Sequence, residues 1–269
     1  MPPPDDVRAE LRELLHAARA QLEFERTCGS RGIQVAVRPT VVEPPRSAGD
    51  RWSSEAPVSR VAPGAPVTPP PAISPPAAAD VGDRLQRLQL LAQEASQCKA
   101  CVLHEKRKQS VFARGSASAD LAFVGEGPGR DEDLQGLPFV GAAGKLLDKM
   151  IAAMGYGRED VYVCNVVKCR PPENRTPRPE ESLACSRFLI PQLETVAPKM
   201  IVALGRCAAQ ALGVAEVTGP WRGRFGAWRG IPVMPTYHPA FLLRSPEFKR
   251  TVWEDLQQVM GRLGRAPKA

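Results

Sequence analysis

Apolar residues fall into two rhythms along this chain. Over residues 5–26, Val7, Leu11, Leu14, Leu15, Ala18 and Leu22 recur every three or four positions between charged residues, which predicts an amphipathic helix. A second helical stretch opens near Asp83 and runs through Leu85, Leu88 and Leu91 up to Cys98. Four short apolar runs follow, each bounded by turn residues: 121–124, 161–167, 200–204 and 231–234. Helical patterns such as GKLLDKMIAAM, EESLACSRFLIPQLETV and RCAAQALG separate them. This alternation predicts an α/β fold, with a short, mostly parallel four-stranded sheet covered on both faces. Ligands of such sheets sit beyond the carboxyl ends of the strands. The loops to read are therefore Gly125-Glu126-Gly127-Pro128-Gly129, Lys168-Cys169-Arg170 and Thr236-Tyr237-His238-Pro239.

Composition divides the chain further. Residues 36–80 hold 11 prolines, a density that cannot bury a core and predicts an extended, disordered Pro/Ala-rich linker. The expected organisation is an N-terminal helix region (1–35), a linker (36–82) and one main domain (83–269). The tethered helix either docks a protein partner, or folds back on the domain or stays marginal alone. Residues 1–82 carry 9 basic and 10 acidic side chains, whereas residues 83–269 carry 27 and 19, so the main domain holds the positive surplus. That sign suits a polyanion such as nucleic acid, although a basic enzyme would share it. No run reaches the roughly 18–20 apolar residues of a membrane span, and MPPPDDVRAELREL lacks a basic start followed by an apolar core. A cytoplasmic protein is expected, in a compartment where closely spaced cysteines bind metal or do redox chemistry more often than they form disulfides.

The residues able to do chemistry cluster in the post-strand loops. GEGPGRDEDLQGLPFVGAAGKLL places glycines at 125, 127, 129, 136, 141 and 144, where backbone N–H groups could approach a ligand closely, yet it matches no dinucleotide or phosphate-loop spacing. Phe139, in a Gly-bounded turn, either stacks on a planar base or plugs the loop from beneath. Cys98-x2-Cys101, Cys169 and Cys185 could supply four thiolates to a zinc ion or an iron–sulfur cluster, with Cys185 as an ordinary buried thiol the alternative. Asn165 is a polar amide in an apolar run, able to read a donor and an acceptor on a base edge. Lys168, Arg170, Arg175 and Arg178 read as phosphate contacts or as solvated loop charges. In His238-Pro-Ala-Phe-Leu-Leu-Arg244, the histidine is either structural or part of a site. An apolar wedge beside a cation, with Leu242 and Arg244, suits insertion into a base stack.

Taken together, Cys98-x2-Cys101, residues 125–144, NVVKCRPPENRTP at 165–177, Cys185 and HPAFLLR at 238–244 resemble a type-4 uracil-DNA glycosylase, the iron–sulfur branch of the uracil-DNA glycosylase superfamily. The resemblance spans roughly residues 85–262. It implies a three-layer α/β/α sandwich and a 4Fe–4S cluster on Cys98, Cys101, Cys169 and Cys185. It also implies a uracil pocket built from the backbone of Gly125, Glu126 and Gly127 with Phe139, Asn165 and His238. Arg170, Arg175, Leu242 and Arg244 would then meet the DNA. The implied reaction is hydrolysis of the N-glycosidic bond of an extruded deoxyuridine by a monomer. His238 donates at O2, and Glu126 stands in for a base where better-known branches have a carboxylate at the position of Gly127. Asp131, Glu132 and Asp133 stand behind Glu126. Excision requires no electron, so the implied cluster is structural. Two other classes remain open from the residues: a non-catalytic DNA-binding or polymerase-associated adaptor, and a zinc module.

Overall fold

The computed structural model describes residues 80–215, 219 and 221–265, so the helix expected within 1–35 and nearly all of the Pro-rich segment lie outside the described residues. Helix α1 (Val81–Gln97) leads to strands β1 (Ala113–Gly115) and β2 (Leu121–Gly125). Helices α2 (Arg130–Gln135) and α3 (Ala142–Ala153) precede β3 (Tyr162–Asn165), followed by α4 (Pro179–Val196) and β4 (Met200–Leu204). Helix α5 (Arg206–Ala211), strands β5 (Gly226–Trp228) and β6 (Ile231–Thr236), and helices α6 (Pro239–Arg244) and α7 (Lys249–Arg262) complete the order.

The sheet has six strands, in the order β1-β3-β2-β4-β6-β5. All four apolar runs form strands, and these pair in parallel as β3-β2-β4-β6. The expectation of four strands is corrected by β1 and β5, which pair antiparallel at the two edges and make the sheet mixed. Each edge strand has three residues and contains a glycine, so neither writes an apolar run into the sequence.

Alternation along the central strands explains why both faces are covered. Leu121, Phe123, Val163 and Val202 point into one apolar cluster with Leu147 and Ile151 of α3 and Leu256 and Val259 of α7. Ala122, Val124, Cys164 and Ala203 point into the other, against Leu88 of α1 and Phe188 and Leu193 of α4. A strand buried on both sides needs apolar residues at every position, which is why these runs are continuous. The pairing register puts Gly125 opposite Asn165 and Leu204 opposite Thr236, so the loops leaving β2, β3, β4 and β6 emerge on one edge of the sheet.

Candidate active site

Those loops enclose a cavity of about 270 Å³ whose lining includes Glu126, Gly127, Phe139, Asn165, Gly205 and His238. Of the sequence-predicted pocket residues, Glu126, Gly127, Phe139, Asn165 and His238 are thus brought together in the lining, and Gly125, outside it, packs against Asn165 and Phe139. Gly205 was missed in the sequence, although it directly follows the third apolar run and the same post-strand rule points to it.

The glycine-rich loop is shaped by close approaches. A Cβ on Gly125 would collide with both the Asn165 amide oxygen and the Phe139 ring, so glycine lets the amide and the ring close over the strand end. A Cβ on Gly144 would fall inside the Phe139 carbonyl group, whose residue holds a left-handed φ of 57°. Glu132 clamps the two ends of the loop, as its carboxylate accepts from the N–H groups of Gly129 (3.1 Å), Val140 (3.0 Å) and Gly141 (2.9 Å). Arg114, buried in β1, donates to the Pro138 carbonyl at 3.2 Å and pairs with Asp148, supporting the same turn from below. Asp133 is buried and accepts from the Lys108 N–H at 2.9 Å. Glu132 and Asp133 are therefore committed to the scaffold, leaving Glu126 as the acid among the cavity-lining carboxylates whose backbone-clamping role is not already taken.

Asn165 ends β3 with 1% of its surface exposed, and its Oδ1 is buried without a hydrogen-bond partner. A buried orphan acceptor costs roughly 1–3 kcal/mol, so its presence at a cavity wall points to a ligand that donates to it. Phe139 is buried, with its ring 5.5 Å from the His238 ring and nearly parallel to it. His238 caps α6, and its Nδ1 accepts from the Ala240 N–H at 3.1 Å. An acceptor at Nδ1 leaves Nε2 as the protonated nitrogen of the neutral ring. Burial first, and the charge of Arg244 second, push the His238 pKa down to about 4. The imidazole is therefore a neutral N–H donor over the physiological range. Burial drives the Glu126 carboxyl up to about 7, against a smaller opposing hydrogen bond from Thr176.

The DNA-facing expectations divide. Arg244 is exposed at the cavity mouth. Arg170 is half-buried and donates to Asn174 at 2.8 Å. Arg175 lines the cavity, but its guanidinium makes a bidentate pair with buried Glu181 at 2.8 and 2.6 Å, so its charge is already answered within the fold. Leu242 is corrected: it is 1% exposed and packed in the core, because α6 turns that face toward α3 and the sheet, while Leu243 beside it is 47% exposed. Lys168 is likewise no phosphate contact, being 1% exposed, with its Nζ donating to the Asn165 carbonyl at 2.6 Å.

Cys98, Cys101, Cys169 and Cys185 all line one small, separate cavity. Three of the four sulfurs accept hydrogen bonds: Cys169 from the Arg107 guanidinium at 3.1 Å, Cys185 from the Lys168 N–H at 3.3 Å and Cys98 from the Ala100 N–H at 3.5 Å. Among the described residues, no group of three or more His, Cys, Asp or Glu side chains is drawn together tightly enough for one metal ion. Cys164 is buried in β3 and Cys207 lies on α5, and neither lines that small cavity.

A mixed α/β sheet whose post-strand loops gather a neutral histidine, an orphaned amide, an aromatic ring and a raised carboxyl defines a site for a flat, polar base. The family described as the uracil DNA glycosylase superfamily matches residues 112–257, and the chain belongs to it. It is 44% identical over 186 residues to a type-4 uracil-DNA glycosylase of Thermotoga maritima, covering 65% of this chain and 94% of that protein. Type-4 uracil-DNA glycosylases of Saccharolobus solfataricus and Archaeoglobus fulgidus are 42% and 41% identical over 193 and 184 residues, covering 68% and 65% of this chain and 89% and 92% of theirs.

Proposed function

We propose that the chain is a type-4 uracil-DNA glycosylase. It hydrolyses the N-glycosidic bond of uracil in DNA, releasing free uracil and leaving an abasic site for base-excision repair. The observation that carries this reading is the buried, unpartnered Asn165 Oδ1 at the wall of a cavity that also holds Phe139 and His238.

Once the nucleotide is extruded, Phe139 offers a ring face to the base. Asn165 accepts from uracil N3–H through Oδ1, and its NH2 donates to O4. Cytosine presents an acceptor and a donor in the opposite places, leaving both sides of the amide mismatched, a discrimination that buried polar groups make large. Thymine carries a methyl at C5, which a closely packed pocket excludes by shape. As the bond breaks, negative charge gathers on uracil O2, and the Nε2–H of His238 is a fixed donor for it. Glu126, with its carboxyl near neutrality, positions and deprotonates the attacking water.

Arg170 and Arg244 hold phosphates around the flipped nucleotide, and Leu243 takes the wedge role expected of Leu242. Arg175 shapes the pocket rim through Glu181. Cys98, Cys101, Cys169 and Cys185 hold a 4Fe–4S cluster, since a polynuclear cluster spreads its ligands around its faces and suits four thiols that surround a cavity without meeting at a point. Bound there, the cluster supplies a cross-link between the end of α1, the loop after β3 and α4. The apolar clusters on both sheet faces support the three-layer α/β/α description. Residues 83–269 are read as the catalytic domain, working as a monomer in the reducing cytoplasm, where cluster thiols persist. No helix among the described residues is long and apolar enough to cross a membrane.

The test uses purified full-length protein in excess over an end-labelled oligonucleotide bearing one uracil, followed by hot alkali. Strand cleavage at uracil, absent with thymine or cytosine and reduced at least 100-fold in His238→Ala, is expected. No cleavage from a brown, folded, DNA-binding sample would favour the adaptor instead, and a colourless sample would favour zinc.

A further inference from the structure

We infer that Lys168 is the link between the thiol quartet and the uracil pocket: it is the counter-cation of the quartet and the positioning residue for Asn165. This rests on reading the quartet as the ligands of a 4Fe–4S cluster and the pocket as a uracil site.

A lysine with 1% exposure is costly to bury unless charge or hydrogen bonds compensate it. None of the ion pairs among the described residues includes Lys168. Its Nζ donates to the Asn165 carbonyl at 2.6 Å and lies 5.8 Å from the centre of the Phe112 ring. The same residue lines the cavity of the four thiols, and its own N–H donates to Cys185 Sγ. The anionic partner missing from the ion pairs is therefore the set of thiolates, whose combined charge exceeds that of the iron–sulfur core they would hold. Arg107 supplies a second cation, on Cys169, but is bonded to Ser96 at its other end and not to the pocket.

One side chain thus carries two loads. Its positive charge stabilises the thiolate cluster, and its hydrogen bond fixes the backbone of the residue whose Oδ1 waits unpartnered in the cavity. Cluster charge and base recognition become energetically coupled, and such coupling acts equally in both directions.

The experiment is a redox titration of the cluster with steady-state excision kinetics, on wild type and on Lys168→Met, which keeps the chain length and removes the charge. The variant is expected to hold its cluster at a more negative midpoint potential, because a nearby positive charge favours the reduced, more negative state. It is also expected to raise KM for uracil-containing DNA about tenfold with a smaller change in kcat, as befits a residue that positions a binding group. A folded, brown K168M with wild-type potential and KM overturns the inference. If K168M does not fold, wild type decides: saturating free uracil must move the midpoint potential where thymine does not, and an unmoved potential overturns the coupling. A wild type that is colourless or inert on uracil DNA would instead overturn the underlying reading, and the inference with it.

Discussion

Glu126 and His238 sit in the same cavity, and burial moves both toward their neutral forms, with opposite consequences for catalysis. The imidazole titrates near 4, so it stays a neutral donor and contributes no limb to a rate profile above that pH. The carboxyl titrates near 7, so single-turnover excision should climb as pH passes through neutrality and the proposed base loses its proton. Glu126→Gln should flatten that limb and slow the reaction about 100-fold, within the usual range for a general base. An unchanged rate in stopped-time assays would remove Glu126 from the mechanism. Stability follows the same titration. A carboxyl raised in the folded state binds its proton more tightly there than in the unfolded chain, so the fold loses stability as pH rises from about 4.5 to about 7. Glu126→Gln should therefore raise Tm at pH 8 and leave it nearly unchanged at pH 5, as read by thermal melts.

At the scale of elements, the site depends on how short helices present their ends. Glu132, at the third position of α2, takes three backbone N–H groups that otherwise would be stranded at the turn carrying Phe139. Glu132→Ala should cost about 3 kcal/mol, since each unmet buried donor costs on the order of 1–3 kcal/mol and water recovers part of it. Urea unfolding checks that value, and KM should rise as the Phe139 turn loosens. Helix α6 shows how one turn decides between core and solvent: Leu242 is sealed in the core, and Leu243, one residue on, is exposed. Leu243→Ala should slow excision about tenfold from paired duplex, where the gap left by the extruded base must be filled, and less from single strands, where no base stack has to be opened. Equal losses on both substrates in parallel single-turnover assays would remove the wedge. The helical repeat was legible in HPAFLLR, but its phase was not, because both leucines satisfy an apolar stripe and a six-residue helix is too short to fix which one faces inward.

For the whole molecule, the positive surplus and the pocket both belong to residues 83–269. Deleting residues 1–80 should leave excision on a short uracil oligonucleotide within twofold of the full chain. A large loss would make the tail part of the catalytic unit.

Much of this molecule follows from local pattern. Continuous apolar runs write buried parallel strands, the residues directly after those runs write much of the site, and Gly125, Glu126, Gly127, Cys169 and His238 stand where that rule looks. Residue types carry their own hydrogen-bonding capacity, so an amide in an apolar run and an imidazole after a strand already mark positions able to meet a polar ligand. Tertiary structure alone decided which charges are spent. Arg175 is answered by Glu181, Glu132 and Asp133 by backbone N–H groups, and Lys168 is turned inward to Asn165 and the thiols. A charged residue reads the same in sequence whether solvated or buried, because its cost or use depends on partners brought from far along the chain. The edge strands β1 and β5 were invisible for the same reason, since their pairing partners and not their own residues make them strands.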